Sequence, residues 1–215
     1  MIFKHRQNDE SQWNKNTAVE LDVRLHGNRR ITLSHDPCEW TTNTDLSNAV
    51  YKNLYITKTK LPRMSIVNVK TSGAEEVVSK LFEEVEYNNF FFLDSQIPDI
   101  LRLSKLDEYK GKFIIRVSDV ESYNEEFMYR IKPKYIWADW SSFDNFEEGK
   151  YRKFINTLTR QISDDQELII VSPELYSLDY ERLIPTIAEI ITYYGHSSVC
   201  TKTETKWEAL FAKSK

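Results

Sequence analysis

Two cysteines, five glycines and six prolines are all that this 215-residue chain holds of the residues that staple, bend or break a backbone. Cys38 and Cys200 lie far apart and neither has a Cys-x-x-Cys partner, so no disulfide framework or zinc site is signalled. So few glycines and prolines argue against long linkers and low-complexity tracts. Long apolar runs are missing too: nothing approaches the roughly 18 residues needed to cross a bilayer. The opening Met-Ile-Phe-Lys-His lacks the basic stretch and apolar run of a secretory signal, which predicts a cytoplasmic protein. Net charge is −4 and the basic residues are scattered, so no block points to nucleic acid or a membrane surface. There is no Gly-x-Gly-x-x-Gly fingerprint of a dinucleotide site.

The rest is ordinary for a soluble globular protein: 40% hydrophobic and 29% charged. The length suits one core, and residues 1–215 are expected to form a single domain. Aromatics reach 13%, which suits a core and groove walls.

Short apolar runs recur at regular intervals. They are Ile2-Phe3, Ala18 to Val23, Met64 to Val69, Phe90 to Leu93, Phe113 to Val117, Tyr135 to Ala138, Leu168 to Val171 and Ser198 to Cys200. Most are rich in β-branched and aromatic residues, as buried strands are. Helical spacing fills residues 74–85, 98–106, 148–162, 179–194 and 204–213, with Pro185 kinking the fourth helix or marking its true start. Alternating strands and helices predict βαβ units, and eight strands predict a compact (β/α)8 TIM barrel. An open doubly wound sheet is the runner-up. Two irregularities stand out. Residues 6–17 are too few for a crossover helix, so the first β-α connection is shortened. His26-Gly27-Asn28 reads as a tight turn into a return strand, Arg30 to Ser34.

A barrel keeps its active site at the carboxyl ends of its strands. Every predicted strand here delivers a polar group to that rim. In order, these are His5-Arg6; Glu20 and Asp22, with His35-Asp36 on the return strand; Asn68 and Lys70; Asp94; Arg116; Asp139; Glu174; and Lys202. Glu20 and Asp22 are two apart and share one face of a strand. Such a pair is tolerated near an apolar core when a cation such as Mg²⁺ or Ca²⁺ sits between them. Asn68 could offer that ion an amide oxygen, and Lys70 could neutralise a phosphate. Bland readings stand beside these. A lone Glu-x-Asp is usually a solvated edge, a His before Asp a structural hydrogen-bonding residue, and Asp94 a helix cap. His26 and His196 fall in or near turns and receive no role.

Three segments carry a resemblance: "KHRQND", "VELDVRLHGNRRITLSHDP" and "IVNVK". They resemble the His-Arg, Glu-x-Asp…His-Asp and third-strand motifs of the glycerophosphodiester phosphodiesterase and PI-PLC-like superfamily, in a compact bacterial subgroup. The likeness is most specific over residues 4–37. It implies a TIM barrel that acts as a phosphoric diester hydrolase, with His5 and His35 as the acid/base pair. It also implies Glu20 and Asp22 as metal ligands, Asn68 in place of a third carboxylate, and Lys70 facing phosphate. Arg6, Arg116, Glu174 and Lys202 would contact substrate, with Asp94 and Asp139 as further candidates. Departures are visible: Gln7 replaces a glycine, Asn68 a carboxylate and Lys202 an aspartate. The last two make the site less negative and its Mg²⁺ or Ca²⁺ more weakly held.

The function expected is cleavage of a glycerophosphodiester or related polar phosphodiester by metal-assisted acid/base catalysis. Two rivals remain. One is a non-catalytic barrel that binds a phosphorylated glycan or glycerol unit. The other is a metal-free PLC-like lyase in which Lys70 and Arg116 replace the cation. The partner in each case is a small molecule.

Overall fold

The computed structural model describes residues 1–56, 61–140, 147–195 and 197–213; His196 lies outside the described residues. Nine strands and seven α-helices alternate along them. The strands are β1 (Ile2–Lys4), β2 (Ala18–His26), β3 (Arg30–Leu33), β4 (Met64–Val69), β5 (Phe90–Leu93), β6 (Ile114–Val117), β7 (Tyr135–Ala138), β8 (Glu167–Val171) and β9 (Ser197–Thr201). The helices are α1 (Leu46–Tyr51), α2 (Ala74–Glu84), α3 (Ile97–Leu103), α4 (Glu125–Ile131), α5 (Glu148–Gln161), α6 (Ile184–Tyr194) and α7 (Glu204–Lys213). The sheet order is β5-β4-β2-β1-β9-β8-β7-β6, with β3 attached to β2. This is a (β/α)8-like parallel barrel with one shortened connection, and the antiparallel β3 is an addition to its eight strands. No helix among the described residues is long and apolar enough to cross a membrane.

The chain divides into two compact units, Lys4–Phe113 and Met1–Phe3 with Ile114–Lys215. In the first, β4 is buried along its whole length, Met64 to Val69. A strand covered on both faces reads as a continuous apolar run, which is why Ile66, Val67 and Val69 surround Asn68. β2 runs parallel to β4 in a register that sets Glu20 opposite Ile66 and Asp22 opposite Asn68. β3 folds back on β2, pairing Val23 with Leu33 and His26 with Arg30. The turn between them holds Asn28 and Arg29 at positive φ, 59° and 57°. The β1–β2 connection contains only one 3-10 turn, Glu10–Gln12.

Gly73 starts α2 at φ 85°, a left-handed conformation that suits glycine. A Cβ there would meet Leu25 at 3.5 Å, an ordinary contact, so the conformation rather than space favours glycine. Helix α1 opens on an Asp45 cap, whose carboxylate accepts from the Asn48 amide at 3.0 Å.

The second unit repeats the pattern. β6, β7, β8 and β9 are parallel neighbours, with Arg116 opposite Trp137 and Ile170 opposite Val199. Pro185 lies in the first turn of α6, after a 3-10 stretch over Leu178–Leu183, so it marks a start and not a kink. Gly195 ends α6 at φ 71°. Trp207 of α7 is fully buried, and its indole N–H donates to Ser172 Oγ at 2.9 Å.

Candidate active site

β2 carries Glu20 and Asp22 into the unit Lys4–Phe113, and both are buried. Each carboxylate oxygen meets a nitrogen. The Arg6 backbone N–H donates to Glu20 Oε2 at 2.7 Å, and Asn68 Nδ2 donates to Glu20 Oε1 at 3.0 Å. Asn8 Nδ2 donates to Asp22 Oδ2 at 3.0 Å, while Asn8 Oδ1 accepts the Asp22 amide at 2.8 Å. Lys70 Nζ stands 3.2 Å from Asp22 Oδ1, as an ion pair. Burial and the Asp22 charge push the Glu20 carboxyl up to about 7, against the pull of Arg6, Asn68 and Lys70.

The shortened β1–β2 connection supplies two of these donors. Its backbone turns sharply at Arg6, which adopts φ 51°. That conformation is costly for a residue with a side chain. Here it aims the amide at Glu20, while the guanidinium reaches the opposite way. Arg6 Nη2 lies 2.7 Å from His35 Nε2, and His35 Nδ1 lies 2.8 Å from Asp36 Oδ1. Arg6 can only donate and ionised Asp36 only accept. In the tautomer with its proton on Nδ1, the ring donates to Asp36 and accepts from Arg6 at Nε2. The same bond from His35 draws the Asp36 carboxyl below its usual range. Arg24 fixes the loop by donating Nη2 to the His35 carbonyl at 2.5 Å. His5 Nε2 lies 3.9 Å from Glu20 Oε2. Gln7 takes the place of a glycine and donates Nε2 to the His5 carbonyl at 3.0 Å.

His5, Arg6, Glu20, Asp22, His35, Asn68 and Lys70 are thus linked in one unit through contacts that chain them together. Asp94, also in this unit, follows β5 at φ 60°. The cap of α3 is Gln96, so Asp94 does not play that part. Asn8 belongs to the constellation and was not foreseen. It sits outside regular structure, where no spacing rule applies, and an Asn alone carries no chemical signature.

Arg116, Asp139, Glu174 and Lys202 belong to the other unit, each at or just beyond a strand end. Arg116 pairs with Asp139, and Tyr176 donates its hydroxyl to Asp139 Oδ1 at 3.2 Å. Glu174 is buried and accepts from the Ser172 and Thr201 hydroxyls, and from the Lys202 amide at 3.2 Å. These contacts tie the turn after β8 to the end of β9.

A divalent cation takes six or more oxygen ligands, several of them anionic in a tight site. Among the described residues no group of three or more His, Cys, Asp or Glu is arranged to hold one. The Glu20–Asp22 oxygens already face four protein nitrogens, and Asn68 turns its amino group, not its oxygen, to Glu20. The donor set does not fit a cation cage.

Two solved structures share the architecture. One is a glycerophosphodiester phosphodiesterase from Parabacteroides distasonis, with a TM-score of 0.64 and 10% identity over 100% of this chain and 98% of that one. The other is an Oleispira antarctica phosphodiesterase in complex with the product sn-glycerol-3-phosphate, with a TM-score of 0.56 and 13% identity over 99% and 96%. The barrel fold of this chain is similar to that of these two phosphodiesterases. At such identities the likeness concerns the fold alone. No protein-family profile and no curated protein matches the chain.

Proposed function

We propose that this chain is a phosphodiesterase that cleaves a glycerophosphodiester or related small polar phosphodiester, in a single 215-residue domain. The observation that carries the proposal is the double contact of Arg6. One residue joins a buried carboxylate through its amide and a histidine through its guanidinium. An Arg poised at a phosphate site binds the planar anion through its fork of donors. A phosphodiester that draws the guanidinium to its own oxygens releases His35 Nε2. His35 then accepts a proton from the attacking hydroxyl, either water or a hydroxyl of the substrate. Asp36 stabilises the imidazolium that forms. His5, whose Nε2 lies 3.9 Å from Glu20 Oε2, gives a proton to the departing alcohol oxygen when its ring is protonated. The proton gained by one histidine and the proton lost by the other balance. The divalent cation implied by the resemblance enters no step.

The sn-glycerol-3-phosphate complex of the Oleispira protein supports a glycerophosphodiester as the first substrate class to assay. His5→Ala and His35→Ala should each lower kcat by about 10²–10⁴-fold while leaving the circular dichroism spectrum unchanged. Folded variants with wild-type turnover in both cases would refute the assignment.

A further inference from the structure

Glu20 and Asp22 present a problem of charge that the fold has to solve. Two buried carboxylates on one strand face repel, and each is costly to remove from water. A metalloenzyme solves this with a dication. Here four nitrogens from four positions do so: the Arg6 amide, the Asn8 and Asn68 side chains and the Lys70 ammonium. Three of them are neutral donors. Only Lys70 carries a full charge into the pair.

We propose that the Lys70 ammonium occupies the role of the divalent cation, so that phosphate binding and cleavage at this site need no metal. The inference rests on the phosphodiesterase reading and names the charge that serves it. Three observations support it beyond the ion pair. First, Asn68 stands where the resemblance has a third carboxylate and donates to Glu20 instead of ligating. To offer its oxygen, the amide would have to turn over and set that oxygen against Glu20 Oε1. Second, two buried acceptors of this cluster have no hydrogen-bond partner among the described residues, Asn68 Oδ1 and Asp22 Oδ1, and Asp22 Oδ1 has the Lys70 ammonium beside it as an ion pair. One amide oxygen is far short of a coordination shell. Third, the Lys70 side chain remains 19% exposed while Asp22 is fully covered. An ammonium has three donors, so Nζ can hold Asp22 on one side and a phosphate oxygen on another. Asn8, in the shortened connection, donates to Asp22 Oδ2 and leaves Oδ1 to Lys70.

The test is a metal titration with two readouts on the full chain. Wild-type protein treated with EDTA should keep its turnover of a glycerophosphodiester, and millimolar Mg²⁺ or Ca²⁺ should leave its Tm unmoved. Lys70→Met should lower Tm by about 10 °C, because it strands a buried carboxylate. Lys70→Met should also lose the Tm rise that sn-glycerol 3-phosphate gives the wild type, because the ammonium that meets the phosphate is gone. Lys70→Arg should keep the indifference of the wild type to metal. A structural ion pair alone would lower Tm and leave the phosphate-induced rise intact, and that result overturns the proposal. So does a wild-type Tm that climbs with Mg²⁺ or Ca²⁺, or turnover that disappears in EDTA and returns with metal. If Lys70→Met does not fold, the wild-type titration decides. If no phosphodiester is cleaved with or without metal, the phosphodiesterase reading fails, while the thermal readout still judges the role of Lys70.

Discussion

Glu20 sits where a carboxylate is hardest to keep ionised. It is buried, it faces Asp22, and its carboxyl is raised to about 7 from an ordinary 4.5. The folded state therefore holds this proton more tightly than the unfolded chain. Its contribution to stability is full below pH 4.5 and is lost as pH rises through about 7. The difference is on the order of 3 kcal/mol. Glu20→Gln removes the titration and leaves a fixed offset from the altered hydrogen bonds. Urea unfolding at pH 4.5 and pH 8 should thus show the variant gaining on the wild type by that amount as pH rises. A constant gap between them would contradict the raised carboxyl. At this scale the sequence was informative where residues lie on strands. The i, i+2 spacing put Glu20 and Asp22 on one face, and parallel pairing set Asp22 beside Asn68. It was silent on how Asn68 orients its amide and on the reach of Arg6 to His35, because both are fixed by a loop backbone with no periodicity.

The connection between β1 and β2 is the element on which the site depends. It is too short for a helix, and that shortness places Asn8 against Asp22 with two hydrogen bonds. Asn8→Ala would leave one buried carboxylate oxygen without its donor and the Asp22 amide without its acceptor. The cost should be about 2–4 kcal/mol, read as a lower midpoint in urea with an unchanged slope. A cost within about 0.5 kcal/mol, typical of surface positions, would show that water replaces Asn8 fully. The long elements were legible from their pattern. Strands buried on both faces read as apolar runs, and α2 and α5 are long enough to show helical spacing. Helices α1 and α4 were missed for the opposite reason. They span six and seven residues, under two turns, so their caps at Asp45 and Asn124 carry more information than their periodicity. The antiparallel β3 was foreseen because His26-Gly27-Asn28 marks its turn.

At the scale of the whole molecule, charge and ligand oppose each other. The chain has a net charge of −4, yet the proposed substrate is an anion. Attraction must then be local, from Arg6 and Lys70 beside the buried carboxylates. The polar groups at the strand ends are candidates for that attraction, but their position does not say what they do. Arg116 and Glu174 sit at the ends of their strands and make ion-pair and hydrogen-bond contacts within their own unit. Strand-end position alone does not separate a ligand contact from a structural tie. Ligand linkage does. A phosphate product that binds only the folded state stabilises it by about 2.7 kcal/mol at a hundredfold excess over Kd. For a chain of this length that is a Tm rise of roughly 5–10 °C. sn-Glycerol 3-phosphate should produce such a rise at low ionic strength. Added salt should reduce it, because the contacts at Arg6 and Lys70 are partly exposed and therefore screened. Arg6→Ala should abolish the rise, whereas Arg116→Ala should spare it if the Arg116–Asp139 pair is structural. A rise equal to that given by sulfate would show anion binding without recognition of the glycerol unit. The absence of any rise with either anion would remove the phosphate site from the strand ends of this unit altogether.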